Sequence, residues 1–168
     1  VFAMLRANIR LLRSQRAIQA LVTDVDDKEY EFHVANNRGA SSSILKFKHH
    51  ADIWPEVRFE TSVRIRSVTL DTLFRREGLQ AEDYQALIMD TQGSELLVLE
   101  GCIPILRNFR FIKTEVSDFE AYEGCCQLAD IERFMSRHGY QERIRERFAS
   151  RDEGGSCFDV VYERIGSP

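Results

Sequence analysis

The sequence predicts an α/β fold, a mainly parallel sheet covered by helices on both faces and finished by a terminal antiparallel pair. Three observations predict it. Short apolar runs alternate with stretches of helical periodicity, the pattern of parallel strands joined by crossover helices. Ala86-Leu87-Ile88-Met89-Asp90-Thr91-Gln92-Gly93-Ser94-Glu95-Leu96 reads as a buried strand ending in a carboxylate, then a glycine turn, then the start of a helix. Residues 140–147 and 157–164 frame the turn Asp152-Glu153-Gly154-Gly155, as two strands of a hairpin would.

The elements follow in order. Phe2, Leu5, Ile9 and Leu12 recur at helical spacing and give an opening helix, which begins at Val1, one apolar stripe. Residues 17–23 read as a short buried strand ending at Thr23-Asp24. The acidic turn from Asp24 to Lys28 leads to Glu29-Tyr30-Glu31-Phe32-His33-Val34, whose alternation marks a half-exposed strand. Asn36-Asn37-Arg38-Gly39 is a turn signal, since Asn and Gly tolerate positive φ. Ser41-Ser42-Ser43 and a polar loop through His49, His50, Trp54 and Pro55 come next. Residues 61–68 alternate as a further strand, with Val63, Ile65 and Val68 directed inward. Asp71 is expected to cap a short helix that Gly78 stops. A strand over 84–90, a helix over 94–107, a strand over 110–116 carrying Glu115, and a helix over 130–138 closed by Gly139 complete the series.

At 168 residues the chain fits one domain with a sizeable core. Its net charge of −4 gives no general electrostatic case for nucleic acid. Arg143, Arg145, Arg147 and Arg151 are interleaved with Glu142, Glu146, Asp152 and Glu153, which reads as a solvated face of mixed charge. No apolar run reaches the ~18–20 residues of a membrane span, and no secretory leader is visible. Cys102, Cys125, Cys126 and Cys157 form no C-x-x-C pair, so a reduced, cytoplasmic protein is expected. The four histidines show no ligand spacing to these cysteines, and no metal site is expected. Oligomerisation is left open. A chain that starts in mid-element without Met is expected to have further sequence upstream of Val1.

Ligands of open α/β sheets bind just beyond the carboxyl ends of the strands. Asp90 and Glu95 bracket such a point, and Gly93 removes a side chain that would keep a ligand away. Asp90 has two readings, a cap on the following helix or a carboxylate facing a ligand. Glu95, in a first helical turn, sits where an acidic residue is favoured anyway. Thr23-Asp24 ends an earlier strand, where an acid can accept from a ribose or an adenine amino group or simply close a turn. Asn36, Asn37, Ser41, Ser42 and Ser43 form an uncharged polar cluster, suited to a ligand's hydroxyls or to a loop of no further role. His50 is a base candidate near neutral pH, and Glu115 repeats the strand-end pattern. Cys125-Cys126 lacks a basic neighbour that would lower a thiol pKa.

Several stretches together resemble the FkbM family of S-adenosylmethionine-dependent methyltransferases. Leu21-Val22-Thr23-Asp24 with residues 26–32 is similar to the family's third-strand region and its hairpin. Residues 36–45, with His50 and Pro55, resemble a loop of one branch. Val68-Thr69-Leu70-Asp71-Thr72-Leu73 is similar to its T-L-D-x-L segment, and Asp90-Thr91-Gln92-Gly93-Ser94-Glu95 to its D-x-[EQ]-G-[AS]-E motif. Thr114-Glu115-Val116, Tyr122-x-Gly124-Cys125, His138-Gly139-Tyr140 and Asp159 complete the likeness, which covers essentially the whole chain.

The resemblance implies a Rossmann-like class I methyltransferase sheet of strand order 3-2-1-4-5-7-6. It also implies methyl transfer from S-adenosylmethionine to a hydroxyl on a sugar or similar metabolite. The family's glycine-rich cofactor loop and the acid after its second strand have no counterpart here. The chain therefore reads as a single methyltransferase domain lacking its first two strands, and it is not expected to grip the cofactor tightly alone. Asp90, His50 and Glu115 are the expected catalytic residues, and Thr23 and Asp24 the expected cofactor contacts. Asn37, Ser42, Ser43, Gly93 and Glu95 are expected on the acceptor side. Two rival readings are a non-catalytic remnant or interaction module of the same fold, and a nicotinamide-dependent oxidoreductase. In the second, the Asp90–Glu95 run has no role.

Overall fold

The computed structural model describes residues 2–12 and 14–166; Val1, where the opening helix was read to begin, lies outside them. Helix α1 (Phe2–Ile9) is followed by β1 (Leu21–Val22), β2 (Glu29–Ala35), β3 (Phe59–Val68), α2 (Leu70–Glu77), β4 (Ala86–Met89) and α3 (Glu95–Gly101). Then come β5 (Phe111–Ser117), α4 (Leu128–Arg137), β6 (Tyr140–Ser150) and β7 (Ser156–Arg164). The described strands form two sheets, β1-β3-β2 and β4-β5-β7-β6.

The order β4-β5-β7-β6 agrees with the 4-5-7-6 that the resemblance implied, but the strands form two mixed sheets where a single, mainly parallel one was expected. Among the described residues β1 runs parallel to β3 and β4 parallel to β5, whereas β2/β3, β5/β7 and β6/β7 are antiparallel. The expected terminal pair forms as β6 and β7. Its second strand inserts between β5 and β6, so the hairpin extends the sheet with an antiparallel neighbour on each side of β7.

Other departures have local causes. The expected strand over 17–23 pairs only at Leu21 and Val22, against Ser67 and Val68. Val63 is 45% exposed because β2 and β3 form a two-stranded ribbon along its middle, with no layer over that face. The 84–90 strand is not fully buried. Met89 faces the core, but Ile88 is 73% exposed, since among the described residues β4 pairs on one side only. Thr69, not Asp71, caps α2, its hydroxyl accepting from the Thr72 N–H at 3.2 Å, while Asp71 pairs with Arg75. Gly78 does stop this helix, in the left-handed conformation at φ 65°. The 94–107 helix ends at Gly101, three residues before Pro104, which has no N–H to continue it. None of the residues of α1 is buried, so its apolar stripe covers no core among the described residues.

The main core lies between the four-stranded sheet and helices α3 and α4. Leu99, Ile112, Ile131, Met135, Val160 and Tyr162 are almost wholly excluded from water there. A smaller cluster of Phe119, Ala121, Tyr122, Cys125 and Cys157 packs with Leu45, Phe47 and Trp54 beyond the carboxyl end of β5. That second cluster floors the site.

Candidate active site

Parallel pairing sets the first feature. Met89 of β4 lies opposite Thr114 of β5, so the next residues, Asp90 and Glu115, emerge side by side at the carboxyl ends of both strands. Glu115 also faces Asp159 across the antiparallel β5/β7 pair. Asp159 is occupied by Lys113 at 2.8 Å. The Glu115 carboxyl has no hydrogen-bond or ion-pair partner among the described residues. Burial pushes its pKa up to about 7, and the negative charges of Asp90, Asp159 and Glu95 add to the rise, partly offset by Lys113. A half-buried acid that gives up its proton near neutrality is matched to general-base work.

Glu95 is the opposite case. It is 2% exposed, and its carboxylate accepts from the Thr91 N–H at 2.8 Å, the Thr91 hydroxyl at 3.1 Å and the Gly93 N–H at 3.0 Å. Burial raises its pKa and these donors oppose the rise. Its oxygens, expected on the acceptor side, are engaged in folding the Thr91–Gly93 turn. Gly93 sits at φ 97°, and an added Cβ would lie 2.8 Å from Cys125 Cβ, so packing and backbone conformation require glycine there.

Asp90 does not cap α3. Its partner is the Gln92 amide, whose carbonyl oxygen in turn accepts from the Tyr122 hydroxyl at 2.5 Å. The Gln92 backbone carbonyl accepts from Ser43 Oγ at 2.8 Å, and Gln92 holds a left-handed φ of 55°. Left-handed geometry in a residue with a side chain is costly and collects at functional sites. Neither Gln92 nor Tyr122 was singled out as a site residue, because the bond that joins them spans 30 residues and no local pattern reports it.

The polar loop is largely self-satisfied. The Ala35 N–H donates to Ser42 Oγ, and Ser43 Oγ accepts from the Leu45 N–H while donating to Gln92. Asn37 bonds twice to Ser41, and Ser41 Oγ lies 3.1 Å from His50 Nε2. Asn37, Ser42 and Ser43, expected to line the acceptor, thus brace the loop and its neighbours. His50 is 2% exposed and stacks on Phe47 with ring centroids 4.3 Å apart. Burial lowers its pKa to about 4, which makes it a poor base at neutral pH.

His50, Gln92, Gly93, Glu95, Glu115 and Tyr122 line one cavity of about 40 Å³, together with Trp54 and three cysteines. The volume admits a few waters or one small polar group. Burial pushes Cys157 up to about 12 and raises Cys125 and Cys126 as well, so these thiols are not nucleophiles.

The first sheet contributes less. Thr23 is wholly buried, its hydroxyl bonded to the Val25 carbonyl at 3.1 Å, and an added Cβ on Gly101 would come within 2.0 Å of its carbonyl oxygen. Of that expected cofactor pair only Asp24 is exposed. Asp26, read in the sequence only as part of the acidic turn, accepts at 2.7 Å from both the Thr69 N–H and the Thr72 hydroxyl and ties this turn to α2.

With this geometry in view, comparison with known proteins is decisive. The model of the methyltransferase FkbM domain matches residues 5–142. The chain belongs to the FkbM methyltransferase family. The matched region contains every group of the cavity except Cys157, and ends just inside β6. The chain is 33% identical over 135 residues to 2-O-methyltransferase NoeI from Sinorhizobium fredii (strain NBRC 101917 / NGR234), covering 77% of this chain and 54% of that protein. It thus spans about half the length of that curated relative. No solved structure matches it. Among the described residues, no helix of this FkbM chain is long and apolar enough to cross a membrane, and no cluster of three metal-ligating side chains occurs.

Proposed function

We propose that this protein is an S-adenosylmethionine-dependent O-methyltransferase acting on a hydroxyl of a sugar or similar small metabolite. One observation carries the reading. Glu115, at the carboxyl end of a parallel strand, is a carboxyl without a partner among the described residues, and its pKa, pushed up to about 7, suits proton removal. The FkbM match and the 2-O-methyltransferase relative support the same chemistry.

The residues present fit the charged end of the methyl donor. Asp90, Glu95 and Asp159 all push the Glu115 pKa upward, so this edge carries excess negative charge that a sulfonium cation relieves. Asp90 and Glu115 would hold that end, and Asp24 the adenosine end. When bound, S-adenosylmethionine supplies an electrophilic methyl group.

The chain's own groups then do three things. The acceptor hydroxyl is held at the cavity mouth, close to and in line with the methyl group. Glu115 takes its proton as the oxygen attacks. Tyr122 holds the Gln92 amide, and Gln92 holds Asp90, so the strand end keeps one arrangement.

The test uses the intact protein with methyl-labelled S-adenosylmethionine and a panel of sugars. Label is expected in a hydroxyl product. Glu115→Gln should weaken donor binding and, at saturating donor, still lower turnover by about 10²–10⁴-fold. Full turnover by this variant contradicts the assignment.

A further inference from the structure

We propose that His50 is a hydrogen-bond donor to the acceptor's oxygen, and that this donor selects a hydroxyl over an amine. The inference rests on the methyl-transfer reading above and names its acceptor chemistry.

The proton on the ring can be placed from its neighbours. Asn37 Oδ1 accepts the Ser41 N–H at 3.1 Å, which turns the amide nitrogen toward Ser41 Oγ at 2.9 Å. A hydroxyl that accepts there still has its own proton to give, and His50 Nε2 is 3.1 Å away. Among the described residues that proton has no other acceptor, so Nε2 accepts it. A neutral imidazole carries one proton, so it sits on Nδ1. The lowered pKa keeps the ring neutral across physiological pH.

Nδ1 is buried and has no partner among the described residues. His50 lines the same cavity as Glu115, and Nδ1 is its one ring nitrogen left unoccupied. Stacking on Phe47 at 4.3 Å and contact with Trp54 at 4.8 Å hold the ring in place. A fixed, desolvated donor on a residue that lines the same cavity as a proton acceptor is an arrangement for binding an oxygen that loses a proton.

An alcohol oxygen has two lone pairs. One accepts from His50 Nδ1–H and the other attacks. The O–CH3 bond forms as the donor's S–CH3 bond breaks, the electron pair of that bond stays on sulfur, and the O–H proton passes to Glu115. A neutral amine has a single lone pair and cannot both accept from His50 and attack. It leaves the buried donor unmet.

Two experiments on the intact protein test this. Long-range 15N–1H spectra should show the His50 ring neutral and protonated at Nδ1 at pH 7; an Nε2–H tautomer or a charged ring overturns the proposal. Methyl glucoside and methyl 2-amino-2-deoxyglucoside are then compared as acceptors at position 2. Wild-type protein should favour the hydroxyl by about 10²-fold or more in kcat/KM. His50→Phe, which keeps the ring stack, should bring that ratio to within about tenfold, and His50→Asn, which returns an amide donor, should restore part of it. An unchanged ratio in His50→Phe overturns the proposal. If wild-type protein methylates neither sugar nor any other acceptor, the methyl-transfer reading fails and the acceptor assignment with it, while the spectra still decide the tautomer.

Discussion

The loop over residues 36–45 and the strand ends at Asp90 and Glu115 are both polar, and they meet at Gln92, yet their groups are used in opposite ways. In the loop, Asn37, Ser42 and Ser43 are each engaged within 3.1 Å by a neighbour of their own chain. At the strand ends, Glu115 has no partner among the described residues, and burial pushes its pKa up to about 7. The same contrast separates two acids of the one cavity. Glu95 holds a turn together through three backbone and side-chain donors, and Glu115 holds none among the described residues. Polar composition does not mark a reactive group; lack of a partner in a half-buried place does.

The sharpest break of this contrast is Glu115→Gln, already expected to cost about 10²–10⁴-fold in turnover. It has a second signature in stability. The pKa of Glu115 is raised in the folded state, so its favourable contribution is full below the ordinary carboxylate pKa and is lost as pH rises through about 7. Glu115→Gln should therefore flatten the fall in Tm between pH 5 and pH 8, read by calorimetry; an unchanged slope argues that the carboxyl is not perturbed.

Next in size is Gly101→Ala. Its Cβ would lie 2.0 Å from the Thr23 carbonyl oxygen, a backbone atom that cannot swing aside. Urea unfolding should show a loss of about 3 kcal/mol. Glu95→Ala leaves the Thr91 and Gly93 N–H groups unpaired and should cost about 2 kcal/mol, with turnover falling as the Asp90 turn loosens. Ser42→Ala is the smallest change. It should cost about 1 kcal/mol and leave turnover within about threefold; a loss near that of Glu115→Gln would erase the distinction between the two regions.

Much of this was legible before any coordinates. Gly78 and Gly139 mark helix ends, β6 and β7 pair around the expected turn, and Asp90 and Glu115 stand at strand ends as their positions suggested. What escaped depends on distant partners. The Ser43 hydroxyl finds its acceptor 49 residues away, so a serine cluster looks alike whether it binds a ligand or braces a loop. The elevated pKa of Glu115 comes from burial and from Asp90 and Asp159, which only the assembled sheet brings near. The order β4-β5-β7-β6 is the one the resemblance implied, whereas the separation of β1-β3-β2 into a sheet of its own is not encoded by periodicity. The helix break before Pro104 was in plain sight and was overlooked.

The most direct test is a 13C titration of the Glu115 side-chain carboxyl in the intact protein, assigned by comparison with Glu115→Gln. A midpoint near pH 7, falling when S-adenosylmethionine is added but less so with its uncharged demethylated product, is the predicted result. A midpoint near 4.5 would contradict the account, for Glu115 would then be an ordinary surface acid with no special claim on the acceptor's proton.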